Sequence, residues 1–154
     1  MSTTYIPAEL RRLVMERAAR LCEYCLIHED DTFLGCEVDH VVSEKHGGPT
    51  REDSLAYPCM TCNRNKGSDI ASLVPGTETP VRLFHPRRDR WHDHFRLDRD
   101  GINIVARTEA GEATARILGF NALDCLLERQ ALVLAGHYPP PAARRLIDVN
   151  EPGS

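Results

Sequence analysis

Leu10, Leu13, Val14, Ala18 and Leu21 recur at helical spacing and predict an amphipathic helix over residues 7–21. Pro7 suits its first position and Glu9 its first turn. The helix leads directly into Cys22-Glu23-Tyr24-Cys25, and the polar stretch that follows, with Glu29, Asp30 and Asp31 in a row, reads as a loop. Residues 33–42 are expected to be the first strand of a hairpin, and Leu55-Ala56-Tyr57 its return strand. Gly47-Gly48-Pro49-Thr50 supplies the turn composition between them. After Cys59-Met60-Thr61-Cys62 a short helix is expected over residues 63–73, with Gly67 inside it. The Pro/Gly/Thr-rich stretch 74–79 divides the chain into lobes of residues 1–74 and 75–154. In the second lobe, Phe95-Arg96-Leu97 and Ile102-Asn103-Ile104-Val105 flank Asp98-Arg99-Asp100-Gly101 as a β-hairpin. Thr108 caps a helix ending near Gly119, and Asn121 with Asp124 caps another that stops at Gly136. The apolar stripe of that last helix is Leu123, Leu126, Leu127, Ala131 and Leu134. Pro139-Pro140-Pro141 ends regular structure, and the last residues read as a tail. Helices and short hairpins in this order predict an α+β fold.

Composition bounds the function. The 154 residues are 42% hydrophobic, enough for a core, but no apolar run approaches the ~20 residues of a membrane span. The N-terminus lacks the basic and apolar regions of a secretory signal, so a cytoplasmic location is expected. A net charge of −4 does not advertise a nucleic-acid binder, but its distribution is uneven. Residues 1–79 hold 8 Lys+Arg against 13 Asp+Glu, whereas residues 80–99 hold 6 Arg against 3 Asp. One basic segment interrupts an acidic chain.

Four of the six cysteines form two Cys-x-x-Cys pairs, Cys22/Cys25 and Cys59/Cys62. Two such knuckles offer the four thiolates of a tetrahedral structural zinc site. A redox dithiol is the competing reading, and the absence of a βαβ pattern argues against it. The 33 residues between Cys25 and Cys59 exceed a simple zinc ribbon, so the metal must clamp an inserted element. Cys36 and Cys125 are expected to be ordinary half-buried residues.

The clamped insert carries Glu37-Val38-Asp39-His40. With the zinc sphere filled by sulfur, Asp39 is free to offer oxygen to a hard cation such as Mg²⁺. Asn63, held beside the second knuckle, can offer an amide oxygen. A neutral His40 beside such a site can take a proton from water for attack on a phosphodiester.

The ordered set Cys22-x-x-Cys25, Val38-Asp39-His40-Val41, Gly47-Gly48, Ser54-Leu55 and Cys59-x-x-Cys62-Asn63-Arg64-x-Lys66-Gly67 resembles the HNH endonucleases of the zinc-containing His-Me finger type, over roughly residues 10–70. The resemblance implies a zinc-stapled, treble-clef-like ββα-metal core over residues 1–74, with an N-terminal helix and a C-terminal extension of hairpin plus helices. It implies His40 as general base, Asp39 and Asn63 as ligands of a catalytic Mg²⁺ or Mn²⁺, and Cys22, Cys25, Cys59 and Cys62 as ligands of structural zinc. The family commonly has an asparagine organising the loop between the strands; this chain has Ser54 there.

Within a nuclease core the cations gain meaning. Arg64 and Lys66, near the start of the second-knuckle helix, and Arg87, Arg88 and Arg90 of the basic segment are candidate phosphate contacts. His46, His85, His92 and His94 are read as surface or packing residues, and Glu37 as supporting or solvent-facing. The expected partner is DNA, with RNA, a homodimer or a larger defence or phage complex as further settings. The rival class is a non-catalytic zinc module that binds nucleic acid or protein, favoured by Ser54 and the acidic net charge.

Overall fold

The structure, a computed structural model, describes residues 4–148; the expected C-terminal tail lies largely outside them. The first helix, α1 (Ala8–Arg17), begins one residue later than expected, because extended Pro7 occupies the N-cap position. It also ends earlier. Ala19 and Arg20 adopt left-handed backbone, which turns the chain before Leu21 and Cys22. Val14 and Ala18 of the predicted stripe are buried with Ile6, Leu55 and Tyr57, while Leu13 faces solvent.

The expected strand over residues 33–42 is much shorter. Phe33 is 99% exposed, and pairing is confined to β1 (Asp39–His40), antiparallel to β2 (Leu55–Ala56), with an isolated bridge at Cys36–Cys59. The register sets Asp39 opposite Ala56 and His40 opposite Leu55. Flanking bonds from Glu37 N to Pro58 O (3.0 Å) and Val41 N to Ser54 O (2.9 Å) extend the ladder. The helix after the hairpin, α2 (Met60–Lys66), lies three residues upstream of the expected start, because Cys59 caps it: its Sγ accepts from Cys62 N. Gly67 ends it with φ 52°.

Within 74–79, residues 74 and 77 make a turn between β3 (Ala71–Ser72) and β4 (Val81–Arg82), an antiparallel pair that sequence periodicity does not show. Then come α3 (Trp91–His94), the expected hairpin β5 (Phe95–Leu97) and β6 (Ile104–Ala106), and α4 (Glu109–Leu118). Thr108 caps α4 by accepting from Gly111 N (3.0 Å), as its sequence predicts. Asn121 does not cap α5 (Leu123–Leu134); Ala122 holds that place. Instead the Asn121 amide bonds both the N–H and the carbonyl of Ile104. Leu123, Leu127 and Leu134 of the predicted stripe point outward, with Leu134 83% exposed, and Leu126 is half-buried. The helix buries Arg129 on its other face, where Ile102, Phe120 and Asn121 accept from the guanidinium. Beyond the prolines a turn (Pro141–Ala143) and a short helix α6 (Arg144–Ile147) continue regular structure, contrary to expectation.

One cluster of buried side chains joins the cysteine knuckles to the aromatic residues of the C-terminal half. Phe95 stands at its centre, with ring centroids 5.2 Å from Trp91, 5.4 Å from Phe84 and 5.5 Å from Phe120. Two buried donors tie this cluster to the first knuckle: Trp91 Nε1 to Tyr24 O and Tyr138 Oη to Cys25 O, both 2.8 Å. Among the described residues no helix is long and apolar enough to cross a membrane. Trp91→Phe leaves the buried Tyr24 carbonyl without its donor, and should lower stability by about 1–3 kcal/mol, read from the urea midpoint at unchanged m-value.

Candidate metal and nuclease site

The first knuckle is a tight loop. Cys22 N donates to Ile27 O, and Leu26 N donates to Cys22 O with Leu26 in left-handed backbone. The second knuckle is the first turn of α2. In each, the amide three residues beyond the leading cysteine points at its sulfur: Cys25 N at Cys22 Sγ (3.4 Å) and Cys62 N at Cys59 Sγ (3.5 Å). The four Sγ atoms lie within 4.8 Å of one another, and Cys25 and Cys59 Sγ stand 3.8 Å apart. Zinc–sulfur bonds of about 2.3 Å in a tetrahedron require sulfurs about 3.8 Å apart. The donor set therefore fits zinc.

Charge gives the same answer. Burial opposes ionisation of Cys22, but the neighbouring thiols hydrogen-bond its sulfur and hold its pKa well below normal. That thiolate in turn pushes Cys25 and Cys62 well up. Only a cation at the centre lets further thiols ionise. Cys36 and Cys125 stand apart: burial raises the first far above the usual thiol range and the second to about 11. Neither is a reactive thiolate, as expected of half-buried residues.

Asp39 and His40 line one open pocket of about 270 Å³ with Ser43, Glu44, Lys45, Gly67 and Ser68. The His40 ring is buried, and its two nitrogens differ. Nε2 is 2.8 Å from Thr50 Oγ1 and 3.6 Å from Glu44 Oε1, whereas Nδ1 has no hydrogen-bond partner. An Nε2–H shared with these oxygens leaves Nδ1 as the basic nitrogen. Thr50 reaches His40 because the intervening loop folds back closely. Gly47 is left-handed, and a Cβ on Gly48 would stand 1.7 Å from Val42 O.

Asn63 Nδ2 donates to Glu37 Oε1 at 2.7 Å. A carboxylate only accepts, so this bond fixes the amide's orientation and leaves Oδ1 outside it. Glu37 is thus supporting, one of the two roles its sequence context allows. Ser54 is buried, and its hydroxyl donates to Asp53 Oδ1 (3.1 Å), while its carbonyl accepts from Val41 N. Its side chain makes no bond across the loop; Thr50 makes that connection.

The candidate phosphate contacts divide. Arg64 is exposed, but Lys66 is in the last turn of α2, not the first, and only 4% exposed. Its Nζ has no hydrogen-bond partner; burial lowers its pKa, opposed by the charges of Asp39 and Asp69. Arg88 and Arg90 are exposed, whereas Arg87 is half-buried and ion-paired with Glu23. His85 is buried and His92 and His94 are half-buried, consistent with packing. Sequence reasoning missed Thr50 and Glu44. Glu44 at four residues from His40 was the available signal; nothing local marks Thr50.

These features define a class: a four-cysteine metal clamp whose insert presents an aspartate and a buried histidine on a short hairpin, followed by a helix. Residues 22–69, which carry both knuckles, the hairpin and α2, match the family model described as HNH endonuclease. No curated protein and no solved structure matches the chain.

Cys59→Ser removes one sulfur while its hydroxyl can still accept from the first turn of α2. Metal analysis of the parent protein should find about one zinc per chain; the variant should lose it together with cooperative unfolding. Correctly folded parent protein without zinc would refute the assignment.

Proposed function

We propose that residues 1–74 form a treble-clef-like ββα-metal nuclease core, and that the protein hydrolyses DNA phosphodiester bonds, leaving 5′-phosphate and 3′-hydroxyl ends. The observation that carries this reading is the asymmetric environment of His40, which lines one pocket with Asp39: Nε2 is engaged by Thr50, and Nδ1 is buried without a hydrogen-bond partner. In this mechanism the Nε2–H bond to Thr50 holds the ring and its tautomer, and Nδ1 accepts a proton from the attacking water. Asp39 and Asn63 Oδ1 are the residues that would hold Mg²⁺ or Mn²⁺, with Glu37 orienting the Asn63 amide. Such a cation, when bound, supplies charge stabilisation at the phosphoryl and leaving 3′ oxygens. Lys66 adds a buried positive charge near Asp39, and exposed Arg64, Arg88 and Arg90 are the surface cations for the backbone of a polynucleotide.

The rival, a zinc module without turnover, draws on Ser54, whose hydroxyl leaves the hairpin loop unbraced. Thr50 weighs against it, since the histidine is held by another route. Plasmid nicking with Mg²⁺ or Mn²⁺ separates the two. His40→Ala should lose about 10²–10⁴-fold in rate, and Thr50→Val, which removes only the orienting oxygen, about 10–100-fold. Product patterns identical for parent and His40→Ala would eliminate the nuclease reading.

A further inference from the structure

The chain has 19 Lys+Arg but lysine at only two positions, 45 and 66, and both border the His40 pocket. Lys45 lines it with Asp39 and His40, and Lys66 directly precedes Gly67 and Ser68, which line it too. Their ammonium groups differ in access. Lys66 is 4% exposed with Nζ buried, so its charge is felt at Asp39 but its nitrogen meets no ligand. Lys45 is exposed and forms no salt bridge among the described residues. It is the only lysine or arginine in the pocket lining.

One loop holds both His40 and Lys45. His46 N and Gly48 N donate to Ser43 O at 2.9 and 3.0 Å, and Gly47 N donates to Glu44 O at 2.9 Å. These bonds close a turn over Glu44–His46, which left-handed Gly47 ends, so the Lys45 backbone is fixed at the pocket wall. Further along the same loop, Thr50 Oγ1 stands 2.8 Å from His40 Nε2. Within the turn, Glu44 and Lys45 have different company. The Glu44 carboxylate stands 3.6 Å from His40 Nε2, whereas the next residue carries its charge into solvent at the pocket mouth.

Asp39 and Glu44 also line the pocket, so by itself it selects no free anion. A phosphodiester brought there as part of a polynucleotide meets those two carboxylates, and an accessible cation in the same lining offsets them. We propose that Lys45 donates to a phosphate oxygen of the DNA strand seated at His40. The inference rests on the nuclease reading for the presence of that strand. A lysine ammonium is a compact point charge on a flexible stem, suited to a single phosphate oxygen. The direct contact that sequence context offered to Lys66 thus passes to Lys45, and Lys66 is left as a buried charge.

The test uses zinc-loaded full-length protein carrying His40→Ala in Mg²⁺, so that bound DNA stays uncut. Because Lys45 is the one lysine with an accessible amine, an amine-selective acylating reagent reports on it directly by mass spectrometry, with free lysine as the reference for reagent consumption. Saturating duplex DNA should slow acylation of Lys45 about tenfold. Lys45→Gln should lower the slope of log affinity against log salt by about 0.9, and Lys45→Arg, which keeps the charge, should restore it. Lys45 acylated as fast with DNA as without it, or a salt slope unaltered by Lys45→Gln, would overturn the proposal. Plasmid nicking by protein with His40 intact is read separately. Nicking with an unprotected Lys45 removes this contact and leaves the nuclease reading, whereas protection without nicking removes that reading and leaves the contact.

Discussion

Four sulfurs gathered around one point are the constraint on which the rest of this protein depends. Each knuckle is too short to be stable alone, and the 33 residues between them contain only a two-residue ladder of regular pairing. Bringing the cysteines together closes that loop and fixes the direction in which the hairpin leaves the first knuckle and α2 leaves the second. The C-terminal half reinforces the same point. Trp91 and Tyr138, far apart in sequence, both donate to carbonyls of the first knuckle, and the phenylalanine cluster packs behind it. The clamp and the aromatic core are therefore one structure, although their residues come from opposite sides of the Pro/Gly-rich stretch at 74–79.

The consequence for chemistry is a division of labour among neighbours. Asp39 and His40 are adjacent in sequence, but the hairpin register and the loop beyond it give them different company. His40 is buried and gripped by Thr50 across the loop, while Asp39 stays half-buried beside the Lys66 charge. Glu37, two residues earlier, turns to the Asn63 amide. Three polar side chains within four residues thus serve a base, a candidate cation ligand and a brace; α2 supplies Asn63 opposite Glu37 and Lys66 near Asp39, and the loop supplies Thr50 to His40.

Much of this was legible from sequence where the signal is covalent spacing or local capping. Each knuckle and the Thr108 cap depend on residues within a few positions of one another, and the Asp39-His40 hairpin with its return at Leu55 on two β-type runs around a Gly/Pro turn. What was not legible depends on tertiary contacts. Residues 33–35 continue the strand-like composition but pair with no strand, so Phe33 and Leu34 remain in an exposed loop. The leucines of α5 have ideal helical spacing, yet Arg129, anchored by three acceptors, decides which face turns inward. Asn121 has capping chemistry, but the Ile104 backbone competes for its amide and wins. Thr50 was invisible for a related reason: its function exists only once Gly48 lets the loop approach Val42.

The central claim is that Asp39 and Asn63 form a second, oxygen-ligated cation site distinct from the cysteine clamp. Titration of Mn²⁺ into zinc-loaded protein, followed by electron paramagnetic resonance, addresses it directly. One bound Mn²⁺ that is lost in Asp39→Ala, weakened in Asn63→Ala and retained in His40→Ala is the predicted result. Absence of Mn²⁺ binding, or binding indifferent to Asp39, would contradict it.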